Sequence, residues 1–204
     1  MTESTLTALL DAAEDRFASD GVAGASLRAV MRQAGADPGS VHYHFKGRQA
    51  LAEAVLDRIL VPLNDRRLAL LAELGEPAPL RSLVDALVRP DIEAATTLEA
   101  RGAGRGRLMG AIYLEPASFV TELVQQRFVP VAVAFQPHLA TALPEIPAEV
   151  IAWRVRWVLF GALGAVLADP DELGRHTPDA LIDRLVDPLA GALAAPIHTG
   201  GPHD

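Results

Sequence analysis

Apolar residues recur at intervals of three and four positions along almost the whole 204-residue chain. This spacing places them on one face of an α-helix, whereas a half-buried β-strand would show strict alternation, and no convincing alternation occurs. The sequence therefore predicts an all-α fold. The first predicted helix carries the apolar stripe from Leu6 to Phe17, and the longer helices that follow cover about 48–73, 80–97, 105–114, 117–142, 147–168 and 178–194.

Glycine and proline interrupt this pattern. Residues 75–79 (GEPAP) are predicted to form a loop, and residues 101–107 (RGAGRGR) are predicted to form a flexible basic connector. A proline within a helix removes one backbone N–H donor and clashes with the carbonyl one turn earlier, so it kinks or splits the helix. Such interruptions are expected at Pro62, Pro130, Pro137 and Pro188.

The composition excludes several classes of protein. Half of the residues are hydrophobic and 22% are charged, which is typical of a globular chain rather than a disordered one. No cysteine is present, so disulfides and thiolate chemistry are excluded. The acidic N-terminus lacks the basic and apolar segments of a signal peptide, and Arg154 and Arg156 interrupt the most apolar stretch. No membrane association is expected, and a cytoplasmic location follows by default.

The net charge of −8 argues weakly against a nucleic-acid partner. Its distribution changes this inference, because residues 28–48 have a local net charge of +3. The charged residues in this stretch are Arg28, Arg32, Lys46 and Arg48, against Asp37 alone. A charge cluster by itself is more often a solvated surface than a binding site, so the motif around it must decide.

Residues 26–47 contain two short predicted helices. Ser26 is a suitable N-cap for the first helix, since its hydroxyl can accept a hydrogen bond from a free backbone N–H, and Gly35 ends that helix. Asp37 caps the second helix, and Gly47 ends it. Two short helices joined by a tight break and supported by a preceding helix form a helix-turn-helix.

The second of these helices has the properties of a recognition helix. Its N-terminal turn is small enough to enter the major groove, while Val41 and Phe45 provide an apolar inner face. The residues of that turn are Pro38, Gly39 and Ser40. The surrounding side chains are suited to binding phosphates. They are Ser26, Arg28, His42, Tyr43, His44, Lys46 and Arg48.

The stretch SLRAVMRQAGADPGSVHYHFKGRQAL, from Ser26 to Leu51, resembles the DNA-binding motif of the TetR family of bacterial transcriptional regulators in residue types and spacing. Together with the helix boundaries, the resemblance implies a helix-turn-helix DNA-binding domain over residues 1–47 and a helical effector-binding and dimerisation domain over residues 48–196. A disordered tail is expected over residues 197–204. The resemblance implies a homodimeric repressor of palindromic operator DNA. Because no catalytic motif is found, neither enzymatic activity nor a cofactor is expected.

Carried over position by position, the resemblance implies three groups of DNA contacts. Ser26 would cap its helix and bind a phosphate, and Arg28 would face DNA. The bases would be contacted by Pro38, Gly39 and Ser40, and the backbone by Tyr43, His44, Lys46 and Arg48. The sequence departs from the family pattern at three positions. Asp37 replaces the usual serine cap and brings an anion near DNA, His42 stands where a tyrosine usually contacts a phosphate, and Arg48 replaces a common lysine.

The segment 147–168 is apolar on nearly all sides, which indicates a helix that is buried on more than one side. Its small residues would let a neighbouring backbone approach closely. With the helix at 178–194 it would form a four-helix dimer interface, as the TetR resemblance implies, and two-fold symmetry suits palindromic half-sites. A core helix of a monomer is the alternative. The expected interface residues are Trp157, Gly161, Gly164 and Ala165.

Apolar residues between positions 80 and 168 are candidates to line an effector cavity, since ligand pockets are mainly apolar with few polar groups. Taken singly, each is more often plain core. The expected effector is a small apolar or amphipathic molecule, for example one with an acyl chain. The candidates are Met109, Tyr113, Phe119, Phe128, Phe135 and Trp153, with His138 as a polar anchor.

No motif in the sequence indicates catalysis. His42 and His44 lie on different faces of a helix, with no cysteine or paired carboxylate nearby, so no metal site is expected. The chain has no Gly-x-Ser-x-Gly sequence, and Glu115 and Glu122 are too isolated to form a catalytic pair. Three classes of function remain. They are a repressor released by a small effector, a DNA-binding regulator without such an effector, and a helical carrier or enzyme that uses the cavity.

Overall fold

A computed structural model of the chain describes residues 3–36, 45, 47–99, 108, 110, 112, 118–167 and 175–197. Within these ranges every regular element is a helix, so the expected all-α fold is confirmed. The seven described helices are α1 (Glu3–Asp20), α2 (Leu27–Ala34), α3 (Arg48–Ala72), α4 (Leu80–Glu99), α5 (Ser118–Ala142), α6 (Ala148–Leu167) and α7 (Pro178–Ala194).

Helices α3 to α7 begin and end within two residues of their predicted bounds. The second helix of the predicted helix-turn-helix, the connector at 101–107 and the tail after residue 197 lie outside the described residues. Of the predicted helix at 105–114, Leu108 and Ile112 are described as buried.

The prolines were expected to kink or split their helices, and the structure shows that they do not split them. Helix α3 continues through Pro62, α5 through Pro130 and Pro137, and α7 through Pro188. All four prolines are exposed. Their exposure lets solvent hydrate the carbonyl that loses its N–H partner one turn earlier. Exposure is not required for the helix to continue, because α4 also continues through Pro90, which is buried.

A tight turn holds α2 against α1. Leu9, Ala13 and Phe17 form the buried stripe of α1, as their spacing predicts. Gly24, in the connection to α2, approaches the end of α1 so closely that an added Cβ would lie 2.2 Å from the Asp20 carbonyl oxygen. The turn therefore requires glycine at this position.

Helix α2 ends at Gly35, which adopts the left-handed conformation at φ 62° and ψ 26°. The Gly35 N–H donates to the Arg32 carbonyl (3.3 Å), and the Ala36 N–H donates to the Met31 carbonyl (3.0 Å). This pairing is a Schellman motif, which glycine adopts without steric cost. The predicted end of the first helix of the motif is confirmed.

Buried apolar side chains form two main clusters. The N-terminal core joins α1 and α2 to the α3 residues from Leu51 to Leu60, and it also includes Leu108, Ile112, Val120 and Leu123. The C-terminal core joins α4 to α5, α6 and α7, and it includes Leu71 near the end of α3. Helix α3 therefore contributes to both cores and connects them as one continuous helix.

The C-terminal helices are arranged around α4, which packs against α3, α5, α6 and α7. Helix α5 packs in addition against α3 and α6. None of the described helices is both long enough and apolar enough to span a membrane.

Candidate DNA-binding surface and effector cavity

Ser26 occupies the N-cap of α2 in an extended conformation, at φ −85° and ψ 120°, but its hydroxyl makes no capping hydrogen bond. The predicted role of Ser26 as a side-chain cap is therefore corrected. Its carbonyl closes the first turn instead, by accepting hydrogen bonds from the N–H groups of Ala29 (2.9 Å) and Val30 (3.0 Å). The side chain of Ser26 stays exposed.

Helix α2 has one apolar face and one basic face. Val30 is buried, whereas Arg28 and Arg32 are exposed one turn apart. Within the described residues neither guanidinium has a hydrogen bond or an ion pair, and α2 contains no acidic residue. Two unpaired cations on one helix face attract an anionic backbone. The set of DNA-contacting residues chosen from the sequence omits Arg32, although its i,i+4 spacing from Arg28 is a signal that would have included it.

Arg48 lies where α3 begins, directly after Gly47, whose φ of 120° favours glycine. Arg48 Nη1 donates a hydrogen bond to the Ala23 carbonyl in the connection between α1 and α2. The structure thus gives Arg48 a contact within the protein, which the sequence did not indicate. Because a guanidinium has several N–H donors, this bond leaves donors for a phosphate.

The recognition helix lies mostly outside the described residues. Phe45, which was predicted to face inward, is described and is buried in the N-terminal core. The predicted DNA-contacting residues outside the described residues are Pro38, Gly39, Ser40, His42, Tyr43, His44 and Lys46.

A cavity of about 590 Å³ lies between α5 and α6, with α3 and α4 on its inner side. A volume of this size suits a drug-sized molecule. The floor is buried and mainly apolar, and the rim is exposed. Apolar floor residues include Val131, Phe135, Leu139, Ile151, Val155 and Leu159. Rim residues include Val129, Val133, Gln136, Ala152, Arg156 and Phe160.

Two of the residues predicted to line the cavity, Phe128 and Phe135, do line it. Phe119 packs against the N-terminal core instead, because the first turns of α5 contribute to that core. The described lining includes neither His138 nor Trp153, and Trp153 is 59% exposed. Outside the described residues lie Met109 and Tyr113.

Helical geometry explains the position of Trp153. The lining residues Ala148, Ala152, Arg156 and Phe160 follow each other along α6 at intervals of four residues. The lining residues Ile151, Val155 and Leu159 lie on one side of this row. Trp153 lies on the other side, about 100° around the helix from Ala152 and away from Ile151. Trp153 was predicted to line the cavity because it is large and hydrophobic. The signal that identifies the lining residues of α6 is instead their spacing at i,i+4.

A buried polar network borders the cavity. Arg67 and Asp91 are 0% and 1% exposed, and their ion pair joins α3 to α4. Arg67 also donates to the Leu87 carbonyl (2.8 Å) and to the side-chain oxygen of Asn64 (2.8 Å), and Asn64 lines the cavity. Burial raises the pKa of Asp91, while the charge and the hydrogen bond of Arg67 act in the opposite direction.

Charged side chains tie α3 to α5 and to α1. Arg127 on α5 donates to both carboxylate oxygens of Asp57 (2.5 and 3.0 Å), and these hydrogen bonds raise the pKa of the Arg127 guanidinium. Arg58, the next residue on α3, pairs with Asp11 (2.6 Å) and Glu14 (3.2 Å) on α1. Neighbouring residues of α3 therefore contact α5, which forms a wall of the cavity, and α1, which belongs to the N-terminal core.

Helix α6 also exposes large apolar side chains. Trp153, Trp157 and Phe160 are 59%, 56% and 43% exposed in the single chain. Contiguous apolar patches on a surface mark sites where a partner binds. The residues predicted for the dimer interface, Trp157, Gly161, Gly164 and Ala165, are all exposed.

Two family models show that the chain is a DNA-binding transcriptional regulator with an N-terminal helix-turn-helix domain. Residues 9–55 match the family model described as bacterial regulatory proteins, tetR family. Residues 85–195, more than half of the chain, match the model described as tetracyclin repressor-like, C-terminal domain. The chain belongs to the TetR family, as the resemblance of the stretch Ser26–Leu51 implies.

Individual relatives agree with this assignment. The HTH-type transcriptional regulator UidR of Escherichia coli K12 is 28% identical over 134 residues, which cover 61% of this chain and 65% of the relative, just under two thirds of its length. The structure of Salmonella enterica GusR is similar with a TM-score of 0.61 and 25% identity, over 95% of this chain and 98% of that one. The structure of NalD, the secondary repressor of the MexAB-OprM multidrug efflux pump in Pseudomonas aeruginosa, has a TM-score of 0.61 and 24% identity, over 92% and 94% of the two chains.

Proposed function

We propose that this chain is a homodimeric repressor that binds a palindromic operator and releases it when a small apolar or amphipathic molecule occupies the cavity. The observation that carries the proposal is that the cavity and the DNA-binding half share α3. Leu60 and Asn64 of α3 line the cavity, while Leu51 and Val55 of the same helix pack in the N-terminal core. A molecule that displaces α3 would therefore move the DNA-binding half with it.

Release requires an effector that binds free repressor more tightly than DNA-bound repressor. An occupant of the cavity would press on α5, whose Arg127 is bonded to Asp57, and Arg58 beside it is bonded to α1. The spacing of the two DNA-binding halves would then no longer match successive major grooves, about one helical turn apart. A coupling of about 1–3 kcal/mol would weaken operator binding by roughly 5- to 150-fold.

DNA binding is proposed to use both helices of the helix-turn-helix. The exposed, unpaired guanidinium groups of Arg28 and Arg32 support phosphate contacts from α2, and the free hydroxyl of Ser26 lies at the start of the same helix. Pro38, Gly39 and Ser40 would face the bases. The remaining backbone contacts are assigned to His42, Tyr43, His44, Lys46 and Arg48.

The dimer is proposed to form through the exposed face of α6, with α7 beside it. Gly164→Arg tests this interface, because an added Cβ at Gly164 meets nothing within 4 Å in the single chain. The variant should fold but lose the dimer and its operator affinity. Gly75→Arg is the matched control, since Gly75 is exposed in a loop and also has nothing within 4 Å of an added Cβ. A Gly164→Arg variant that sediments as a dimer would place the interface elsewhere.

The effector mechanism is tested by measuring operator affinity with and without a bound ligand. An operator is first selected from random duplex DNA, and ligands are found by a thermal-shift screen of apolar and amphipathic compounds. Ala152→Trp, on the rim of the cavity, should reduce ligand binding and retain operator binding. Ala69→Trp is the control, because Ala69 is exposed on α3 and is not part of the described lining.

The outcomes separate the three classes of function. A ligand that weakens operator binding in the wild type but not in Ala152→Trp supports the proposal. A ligand that stabilises the protein and leaves operator affinity unchanged favours a regulator without a small-molecule effector. A protein that selects no DNA sequence but binds ligands in the cavity would favour a carrier or an enzyme.

A further inference from the structure

Three arginines of the described ranges, Arg28, Arg32 and Arg156, have side chains without a hydrogen bond or an ion pair. The other described arginines bind carboxylates, backbone carbonyls or other groups of the protein. The contrast matters because the chain has 26 acidic and 18 basic residues, so acidic partners are abundant. Arg28 and Arg32 belong to the proposed DNA-binding surface, where phosphates supply the anions. Arg156 lies on the rim of the cavity.

Among the described residues that line the cavity around Arg156, none is acidic. Its neighbours on the described rim include Val129, Val133, Gln136, Ala152 and Phe160, all uncharged. Helix α6 has no acidic residue after Glu149. By contrast, Arg154 on the same helix donates to the carbonyls of Leu193 (2.8 Å) and Ala195 (2.5 Å). An unpaired arginine beside an apolar cavity is complementary to an anionic group that arrives with a ligand.

The remaining lining suits a hydrocarbon chain. The lining on α5 extends from Thr121 to Ala140, a distance of about 28 Å along the helix at a rise of about 1.5 Å per residue. The floor beneath it is buried and mainly apolar, with Phe135 and Ile151 among its residues. Arg156 is the one charged side chain in the described part of the lining. An elongated apolar floor with this cation at its edge matches a molecule that has a long apolar part and one negative charge.

We propose that the cavity takes a monoanionic amphiphile whose head group pairs with Arg156 and whose hydrocarbon chain lies on the floor. This inference rests on the proposed function of the cavity as the effector site, and it adds the charge of the effector. A guanidinium offers parallel N–H donors to a carboxylate. One such pairing at the exposed rim predicts a preference of about tenfold for a carboxylate over its uncharged analogue.

Binding of three probes of equal chain length to the full-length protein tests the proposal. Isothermal titration calorimetry, below the micelle concentration, should rank dodecanoate above 1-dodecanol and 1-dodecanol above dodecylamine. Arg156→Gln should weaken the binding of dodecanoate about tenfold and leave the affinity for 1-dodecanol unchanged. Arg156→Glu should shift the binding preference towards dodecylamine. Arg66→Gln is the matched control, because Arg66 is exposed on α3 and is not part of the described lining.

Equal affinities of dodecanoate for the wild type and Arg156→Gln would overturn the proposal, and so would the absence of binding of all three probes to the wild type. A change of oligomeric state in Arg156→Gln, measured by sedimentation, would also overturn it, because Arg156 would then contact a second copy of the chain.

Operator affinity in the same preparations separates this inference from the proposed function. Dodecanoate that binds through Arg156 but does not release the operator would leave the inference standing and contradict effector release. Release by 1-dodecanol as effective as release by dodecanoate would support effector release and overturn the charge preference.

Discussion

Removal of the Asp91 carboxylate tests whether the buried ion pair holds α3 against α4. In Asp91→Ala the guanidinium of Arg67 stays in the core without its counter-ion, since Arg67 is fully buried and arginine cannot lose its proton there. Loss of one partner of a buried pair costs about 3–5 kcal/mol. For a chain of this size each kcal/mol shifts Tm by about 2–4 °C, so Tm should fall by roughly 6–20 °C.

Arg67→Met should cost less than Asp91→Ala. The carboxylate of Asp91 that remains can take up a proton, because burial already raises its pKa and the opposing charge of Arg67 is gone. The double variant Arg67→Met with Asp91→Leu should recover most of the lost stability, since an apolar pair can replace a buried ion pair at little cost.

Far-UV circular dichroism measures Tm by thermal unfolding and the free energy of unfolding by urea titration. All variants are compared at one fixed protein concentration, because dimer stability depends on it. Arg66→Ala is the matched control. Arg66 precedes Arg67 on α3 and pairs with Glu93 on α4 at 3.9 Å, but its side chain is 47% exposed. An exposed pair contributes only about 0–1 kcal/mol. If Asp91→Ala loses no more free energy of unfolding than Arg66→Ala, the buried ion pair between Arg67 and Asp91 does not hold α3 against α4.

Three further perturbations address the DNA-binding half and its link to the cavity. Gly24→Ala places a methyl group 2.2 Å from the Asp20 carbonyl oxygen, so calorimetry should show a loss of about 1–3 kcal/mol, and an unchanged Tm would refute the close contact. Arg28→Ala and Arg32→Ala should each weaken binding to all DNA sequences alike, and each should reduce the slope of log binding constant against log salt concentration by about one unit. A loss of affinity for one sequence only would indicate a base contact instead. Arg127→Met should retain effector binding but reduce the effect of the effector on operator affinity, as measured by fluorescence anisotropy. If the effector weakens operator binding as much in Arg127→Met as in the wild type, transmission through the contact between Arg127 and Asp57 is excluded.

Local signals allowed the sequence to predict the helix boundaries. Helix α7 was predicted at 178–194, and the structure shows the local interactions at its start: Thr177 accepts a hydrogen bond from the Ala180 N–H (3.3 Å), and Pro178 occupies the first turn. The effect of Pro130 and Pro137 could not be predicted in the same way. Both prolines lie on the exposed side of α5, and which side of α5 faces solvent is set by its packing against α3 and α6.

The effector cavity was predicted less well than the helices, because its lining depends on contacts between distant residues. Phe128 and Phe135 line the cavity, but Trp153 is as large and apolar and lies on the exposed face of α6. Arg67 and Asp91 are 24 positions apart in the sequence, and no local pattern indicates that they pair. The helix-turn-helix was easier to recognise, because its caps, break and basic residues lie in one continuous stretch.

The composition of the N-terminal core limits how freely the DNA-binding half can be exchanged between regulators. Leu108, Ile112, Val120 and Leu123 come from the C-terminal half of the chain, yet they are buried in that core. A chimera that fused residues 1–47 to a foreign effector domain would replace these partners and leave part of the transplanted core mismatched. A transfer of residues 1–47 should therefore succeed only when the recipient supplies equivalent apolar side chains at those four positions, or when the four residues are transferred together with residues 1–47.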